Sequence, residues 1–194
     1  MIRKKIVILI LTLLIVFISL FLFLNYNSES TNKDQKLEVK QAEELSEKEF
    51  EKIKEDYISL LNKENPKIVL NRLLEHTSTN SALLRSCHSL AHYLGHAAYE
   101  KYQNFAEASK YQDEICNSGY LHGVIESHFA LSTNISDTIQ TVCDKYNVKS
   151  FTGWQCYHGV GHGLMFFNNN DLPKSITICE TYKNGLAKSS CVNG

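Results

Sequence analysis

The pattern C-x-x-G-x-x-H-G occurs at Cys116, Gly119, His122 and Gly123, and recurs 40 residues on at Cys156, Gly159, His162 and Gly163. A further copy opens at Cys191 and Gly194, and the sequence stops where its His-Gly is due. Each later copy has a cysteine upstream: Cys143 lies 13 residues before Cys156, and Cys179 lies 12 before Cys191. A period of 35 to 40 residues is the length of one stacked helix pair. The expected fold class is all-α, a solenoid-like series of helix pairs stapled by disulfides. The repeat pairs Cys143 with Cys156 and Cys179 with Cys191, and leaves Cys87 with Cys116 by elimination. Six cysteines allow 15 connectivities, so this pairing rests on the repeat alone. Buried free thiols are the competing reading, since cysteine is often buried without a partner. Solenoids normally close with an atypical capping repeat. A stop in mid-motif is expected of a truncated record, of further repeats beyond it, or of an end covered by a protein partner.

Bridges need an oxidising compartment, and the N-terminus supplies a route to one. Residues 6–24, "IVILILTLLIVFISLFLFL", are 19 residues without a charge, just enough helix to cross a hydrocarbon core. Arg3, Lys4 and Lys5 precede them and favour a cytoplasmic N-terminus. The expectation is a cytoplasmic basic tail over 1–5, a transmembrane signal anchor over 6–24, a flexible stalk over 25–45 and an extracytoplasmic domain over 46–194. A cleaved signal peptide would carry a shorter apolar run and small residues before the cut, and neither is present. Beyond the tail, 17 Lys+Arg face 21 Asp+Glu. That mildly acidic balance argues against a nucleic-acid partner, which needs a basic surface.

The rest reads as helix throughout. Ser46 with Glu49 is a capping box, and Phe50, Ile53, Tyr57, Leu60 and Leu61 follow at helical spacing. Pro66 suits a first helical turn. Leu83, Leu84, Cys87, Leu90, Ala91, Leu94 and Ala98 form the apolar stripe of the next helix. Ser136 and Asp171 are the expected caps of two later ones. No segment keeps a two-residue alternation, so no strand is expected.

Seven of the eight histidines fall between residues 88 and 162. His88, His92 and His96 are four apart and share one stripe of a helix. His92-x-x-Gly95-His96 matches His158-x-x-Gly161-His162, and His122 with Glu126 is a third pair at the same spacing. Each pair projects two metal-capable side chains from one helical face. The expected ligands are His92, His96, His122, His158 and His162, with Glu126 as a further ligand or as a general base acting on metal-bound water. That donor set exceeds one four-coordinate site. It fits two ions, or one ion with an outer layer of supporting groups. Imidazole suits zinc, copper or iron, and thiolates tied up in bridges leave no soft sulfur site.

The competing reading needs no metal. Glycines in the motif let helices approach closely, and a histidine beside them can donate to a neighbouring carbonyl and hold each repeat in register. The chain would then be a scaffold binding a protein or envelope partner through a helical face. Zinc-protease H-E-x-x-H, haem-attachment, phosphate-loop and nucleophile-elbow motifs are absent. Trp154, Tyr157, Phe166 and Phe167 around the second motif read as core packing. The two functional readings are therefore a membrane-anchored histidine-rich metal-binding protein, with or without a metal-dependent reaction, and the scaffold.

Overall fold

The short polar side chain just ahead of each apolar run decides where the helices begin. Ser46 accepts from the Glu49 amide while Glu49 reaches back to the Ser46 amide, opening α1 (Glu47–Lys63). Asn65 caps α2 (Pro66–Thr79), with Pro66 in the first turn where its missing N–H is no loss. Asn80 caps α3 (Ser81–Tyr102), which closes on Gln103 in the left-handed conformation at φ 49°. Asn104 caps the short α4 (Phe105–Ser109). A 3-10 turn, Ile115–Ser118, leads into α5 (Gly119–Ala130). Asn134 caps α6 (Ile135–Thr141), Ser150 caps α7 (Phe151–Phe167), Asp171 caps α8 (Leu172–Cys179), and Asn184 caps α9 (Gly185–Val192). The cap of α6 is Asn134 and not the expected Ser136: the Asn134 side chain accepts from the Asp137 amide, so the helix starts one residue before Ser136.

This computed structural model describes residues 14, 17–21 and 44–194. It contains no strand among the described residues. Of the charge-free stretch 6–24, residues 14 and 17–21 are helical. The rest of the expected anchor, the basic tail 1–5 and the stalk up to residue 43 lie outside the described residues. Among the described residues, no helix is long and apolar enough to cross a membrane.

Helix α5 organises the domain because it is buried on nearly every side, with apolar residues on two faces and His122 and Glu126 on a third. Tyr120 and Val124 enter a core built by α1, α2 and α3, with Leu61, Leu70, Leu73, Leu83, Leu90 and Leu94. Leu121, Ile125 and Phe129, one residue further round, enter a second core with Ile139, Val160, Leu164 and Tyr182. His122 and Glu126 occupy the remaining face. The stripe expected on α3 holds except at Leu84, which is 58% exposed.

The glycines of the motif set how closely the helices meet. A Cβ on Gly119 would lie 2.6 Å from the His88 carbonyl oxygen, and one on Gly123 would overlap the His92 carbonyl. At the other end of the domain, a Cβ on Gly194 would overlap the His158 carbonyl. Gly119 and Gly194 hold the same place in the motif, and each packs on the carbonyl of a histidine that begins an i, i+4 pair.

The three disulfides are Cys87–Cys116, Cys143–Cys156 and Cys179–Cys191, and no described cysteine is free. Cys179 is the last residue of α8, and Cys191 lies near the end of α9. Bridges of this kind are consistent with an extracytoplasmic setting.

Candidate metal centre

Three helices aim their histidines at one place. His88, His92 and His96 come from α3, His122 and Glu126 from α5, and His158 and His162 from α7. Ring centroids of His92 lie 4.6 Å from His88, 5.3 Å from His122 and 5.1 Å from His162. His122 and His162 stack at 5.2 Å. One donor atom from each of His88, His92, His122 and His162 lies within 4.8 Å of the others, and the same holds for His92, His96 and Glu126. His122 is fully buried, and the remaining histidines border a cavity or the solvent. That cavity, about 500 Å³, is walled by Tyr93, His96, Glu126, His162 and Phe166 among others.

Neighbouring acceptors dictate which ring nitrogen of each histidine carries the proton. The His88 Nδ1–H donates to the Cys116 carbonyl at 2.8 Å. Cys116, Asn117 and Ser118 all have left-handed backbones, at φ 53°, 52° and 58°, and this tight turn presents the Cys116 carbonyl to His88. The His122 Nε2–H donates to the Gln155 carbonyl at 3.0 Å. Glu126 accepts from His92 Nδ1 at 3.0 Å and from His96 Nε2 at 2.5 Å. Three lone pairs are thereby left for the interior of the cluster: His88 Nε2, His92 Nε2 and His122 Nδ1. His88 Nε2 and His92 Nε2 sit 3.0 Å apart, and that edge needs a shared proton or a cation between the two nitrogens. His122 Nδ1 is buried with no hydrogen-bond partner. An unsatisfied buried acceptor costs about 1–3 kcal/mol, so this nitrogen is satisfied by a donor such as water or by a cation. The carboxylate on His92 is the arrangement that orients metal-binding imidazoles in known centres.

Burial favours the neutral form of His88, His122, His158 and His162. It drives His122 down to about 2, aided by repulsion from His92, His162, His158 and His88. His162 falls to about 4, again chiefly through burial, then through His92 and His158, with Glu126 opposing. His88 and His158 are lowered for the same first reason. For Glu126, burial pushes upward, but the hydrogen bonds from His92 and His96 outweigh it and hold the carboxyl at about 2. Neutral imidazoles beside an ionised carboxylate are the protonation states that metal ligation requires.

These shifts predict acid sensitivity. The unfolded chain takes up a proton on His122 near pH 6.5, and the folded chain does not. Stability from His122 is thus complete above pH 6.5 and is lost as the pH falls below it; Glu126 adds a loss of the same sign below pH 4.5. His122 alone accounts for about 2 kcal/mol at pH 5. Thermal melts with a chelator present should show a lower Tm at pH 5 than at pH 7, and an unchanged Tm would contradict this account of the cluster.

The structure brings His92, His122 and His162 into the four-histidine group and His96 and Glu126 into the second group. His158 stands behind His162, with the two Nε2 atoms 3.3 Å apart, and belongs to neither group. His88 takes the place expected of His158. Its signal in the sequence was the four-residue step to His92. The carbonyls of Cys116 and Gln155 had no signal, because any residue supplies one. Glu126 is a poor general base when two histidines hold its carboxylate, and the geometry favours a ligand or orienting role. Two of the aromatics expected in the core lie outside it: Trp154 stacks on His158 at 5.1 Å, and Phe166, 57% exposed, lines the cavity beside His96. Tyr157 and Phe167 do pack against the second core.

Fold and site together define a disulfide-stapled, all-helical domain around a buried histidine cluster whose spacing is compatible with a metal ion. In comparisons with known proteins, no family model, curated protein or solved structure matches the chain.

Proposed function

We propose that this is an extracytoplasmic metal-binding protein. His88, His92, His122 and His162 hold one transition-metal ion, and Glu126 orients His92 from behind. The convergence of donor atoms from His88, His92, His122 and His162, all within 4.8 Å of one another, carries the reading, and the buried Nδ1 of His122, whose tautomer is set by Gln155, has no hydrogen-bond partner among the described residues. Metal–imidazole bonds of about 2.0–2.1 Å put tetrahedral nitrogens roughly 3.4 Å apart, close to the 3.0 Å between His88 and His92. Four neutral imidazoles suit zinc or copper(II), with iron a weaker match. The charge-free stretch 6–24 behind Arg3, Lys4 and Lys5 supports anchoring to the membrane with the histidine domain outside.

The scaffold reading draws its support from the same cluster, because the histidine–carbonyl bonds and the glycine contacts would hold α3, α5 and α7 together without an ion. Elemental analysis separates the two. The full chain, prepared from washed membranes without a polyhistidine tag, should carry at least one equivalent of metal. His92→Ala plus His162→Ala should abolish it while the far-ultraviolet spectrum stays helical. Zinc at 100 times its Kd should raise the wild-type Tm by roughly 5–10 °C, the equivalent of about 2.7 kcal/mol. A metal-free wild type whose Tm ignores zinc and copper would establish the scaffold, and a chain released by alkaline washing would remove the anchor.

A further inference from the structure

The four-histidine site does not use all of the donors. His92 presents its two nitrogens in opposite directions: Nε2 toward His88 at 3.0 Å, and Nδ1 toward Glu126 Oε1 at 3.0 Å. Beyond Glu126, His96 Nε2 meets Oε2 at 2.5 Å. His92, His96 and Glu126 thus form a second group with donor atoms within 4.8 Å of one another, and it shares His92 with the first. The two groups differ in their surroundings. The first includes the fully buried His122, whereas His96 has a side chain 32% exposed and lines the cavity with Tyr93 and Phe166.

We infer that the centre is dinuclear, with His92 bridging a buried ion in the four-histidine site and a second ion held by His92 Nδ1, His96 and Glu126, open toward the cavity. This rests on the metal-binding reading above. When the second ion enters, the Nδ1 proton of His92 leaves to solvent, the ring becomes an imidazolate, and Glu126 changes from hydrogen-bond acceptor to ligand. His96 stays neutral by changing tautomer: its proton moves through solvent from Nε2 to Nδ1, and Nε2 takes the metal bond. No electron transfer is involved.

The two ions play different parts. The first has four protein donors and is closed, as structural sites are; the second has three and keeps a free position, as reactive sites do. Two divalent cations against one imidazolate and one carboxylate leave a net charge of about +2 at the centre, by simple addition of formal charges. The free position therefore takes water or a small anion with an oxygen or nitrogen donor, and the aromatic walls of Tyr93 and Phe166 accommodate a short apolar body behind it.

Copper(II) titration of the full, untagged chain, followed by electron paramagnetic resonance, tests this. Spin intensity should rise through the first equivalent and fall back through the second, because copper ions sharing an imidazolate couple antiferromagnetically. In His96→Ala it should rise to one equivalent and stop. Azide added to the two-copper form should produce an azide-to-copper charge-transfer band that His96→Ala lacks. Saturation at one ion, or two uncoupled spins, overturns the shared centre while leaving the four-histidine site in place. Two coupled spins that survive His96→Ala place the second ion elsewhere and also overturn it. A coupled pair with no azide band removes the free position. No copper bound at all removes the metal-binding reading itself.

Discussion

Reduction of the disulfides should unfold the domain. The bridges close loops of 29, 13 and 12 residues. In the chain-entropy account, each loop of that size contributes about 3 kcal/mol, so together they contribute roughly 9. That is comparable to the whole stability of an ordinary domain, about 5–15 kcal/mol. The expectation is strongest for the second half of the chain. Helices α6, α8 and α9 have only 7, 8 and 8 residues, too short to persist alone in water. They bury few residues each: Ile139 from α6, Ser175 with Cys179 from α8, and Ala187, Ser190 and Cys191 from α9. A phosphine reductant should therefore remove most of the helical circular dichroism or lower Tm by tens of degrees, with thiol titration confirming six free cysteines. Full reduction with an unchanged melt would mean that the two cores suffice without the staples. Replacing Cys179 and Cys191 by Ser should loosen α8 and α9 while leaving the α1–α3 core intact, since that core draws nothing from them.

Gly123→Ala should also destabilise the domain, by about a third as much. The added methyl would overlap the His92 carbonyl oxygen and lie 2.8 Å from the carbonyl carbon, so the obstacle is backbone and cannot rotate away. Helices α3 and α5 would have to separate, disturbing both cores that α5 enters. A loss of about 3 kcal/mol, the upper part of the range for overpacking, corresponds to a Tm drop of roughly 6–12 °C in a domain of this size. The separation also moves His92 away from His122 and Glu126. Metal affinity should fall although no ligand has been changed. Gly185→Ala is the control, because nothing lies within 4 Å of a Cβ there, and it should melt within a degree or two of wild type. Equal melts for the two variants would show that the close approach of α3 and α5 is not needed.

The sequence carried much of this architecture because the signals are local. Ser46 with Glu49, Asn65 before Pro66, and Asp171 before Leu172 and Pro173 stop and start helices within a few residues of themselves. Cysteine pairing was legible for a different reason: the motif repeats, so the spacings of 13 and 12 residues pointed to the same closure twice. The exposure of Leu84 was not legible, since helical spacing places it on the edge of the stripe and only the position of α2 and α5 decides which edge is covered.

The donors of the centre divide along the same line. Four-residue steps along one chain put His88 beside His92, His122 beside Glu126 and His158 beside His162, and any helix would do that. Which of these pairs meet is decided by helix packing. Gly119 and Gly123 draw α5 against α3 at the level of His88 and His92, and Gly159, where a Cβ would lie 2.7 Å from the His122 ring, draws α7 against α5. That register brings His88 in, sets His158 behind His162, and turns Phe166 out to the cavity. The proton positions depend on still more distant partners, the carbonyls of Cys116 and Gln155, 28 and 33 residues from the histidines that they orient. The sequence by itself determined the helices, the staples and the inventory of donors, because spacing along a chain is a local property. Only the tertiary structure decided which lone pairs face one another, because that depends on carbonyls that any residue can supply and on ångström-scale helix separations that the pattern does not encode.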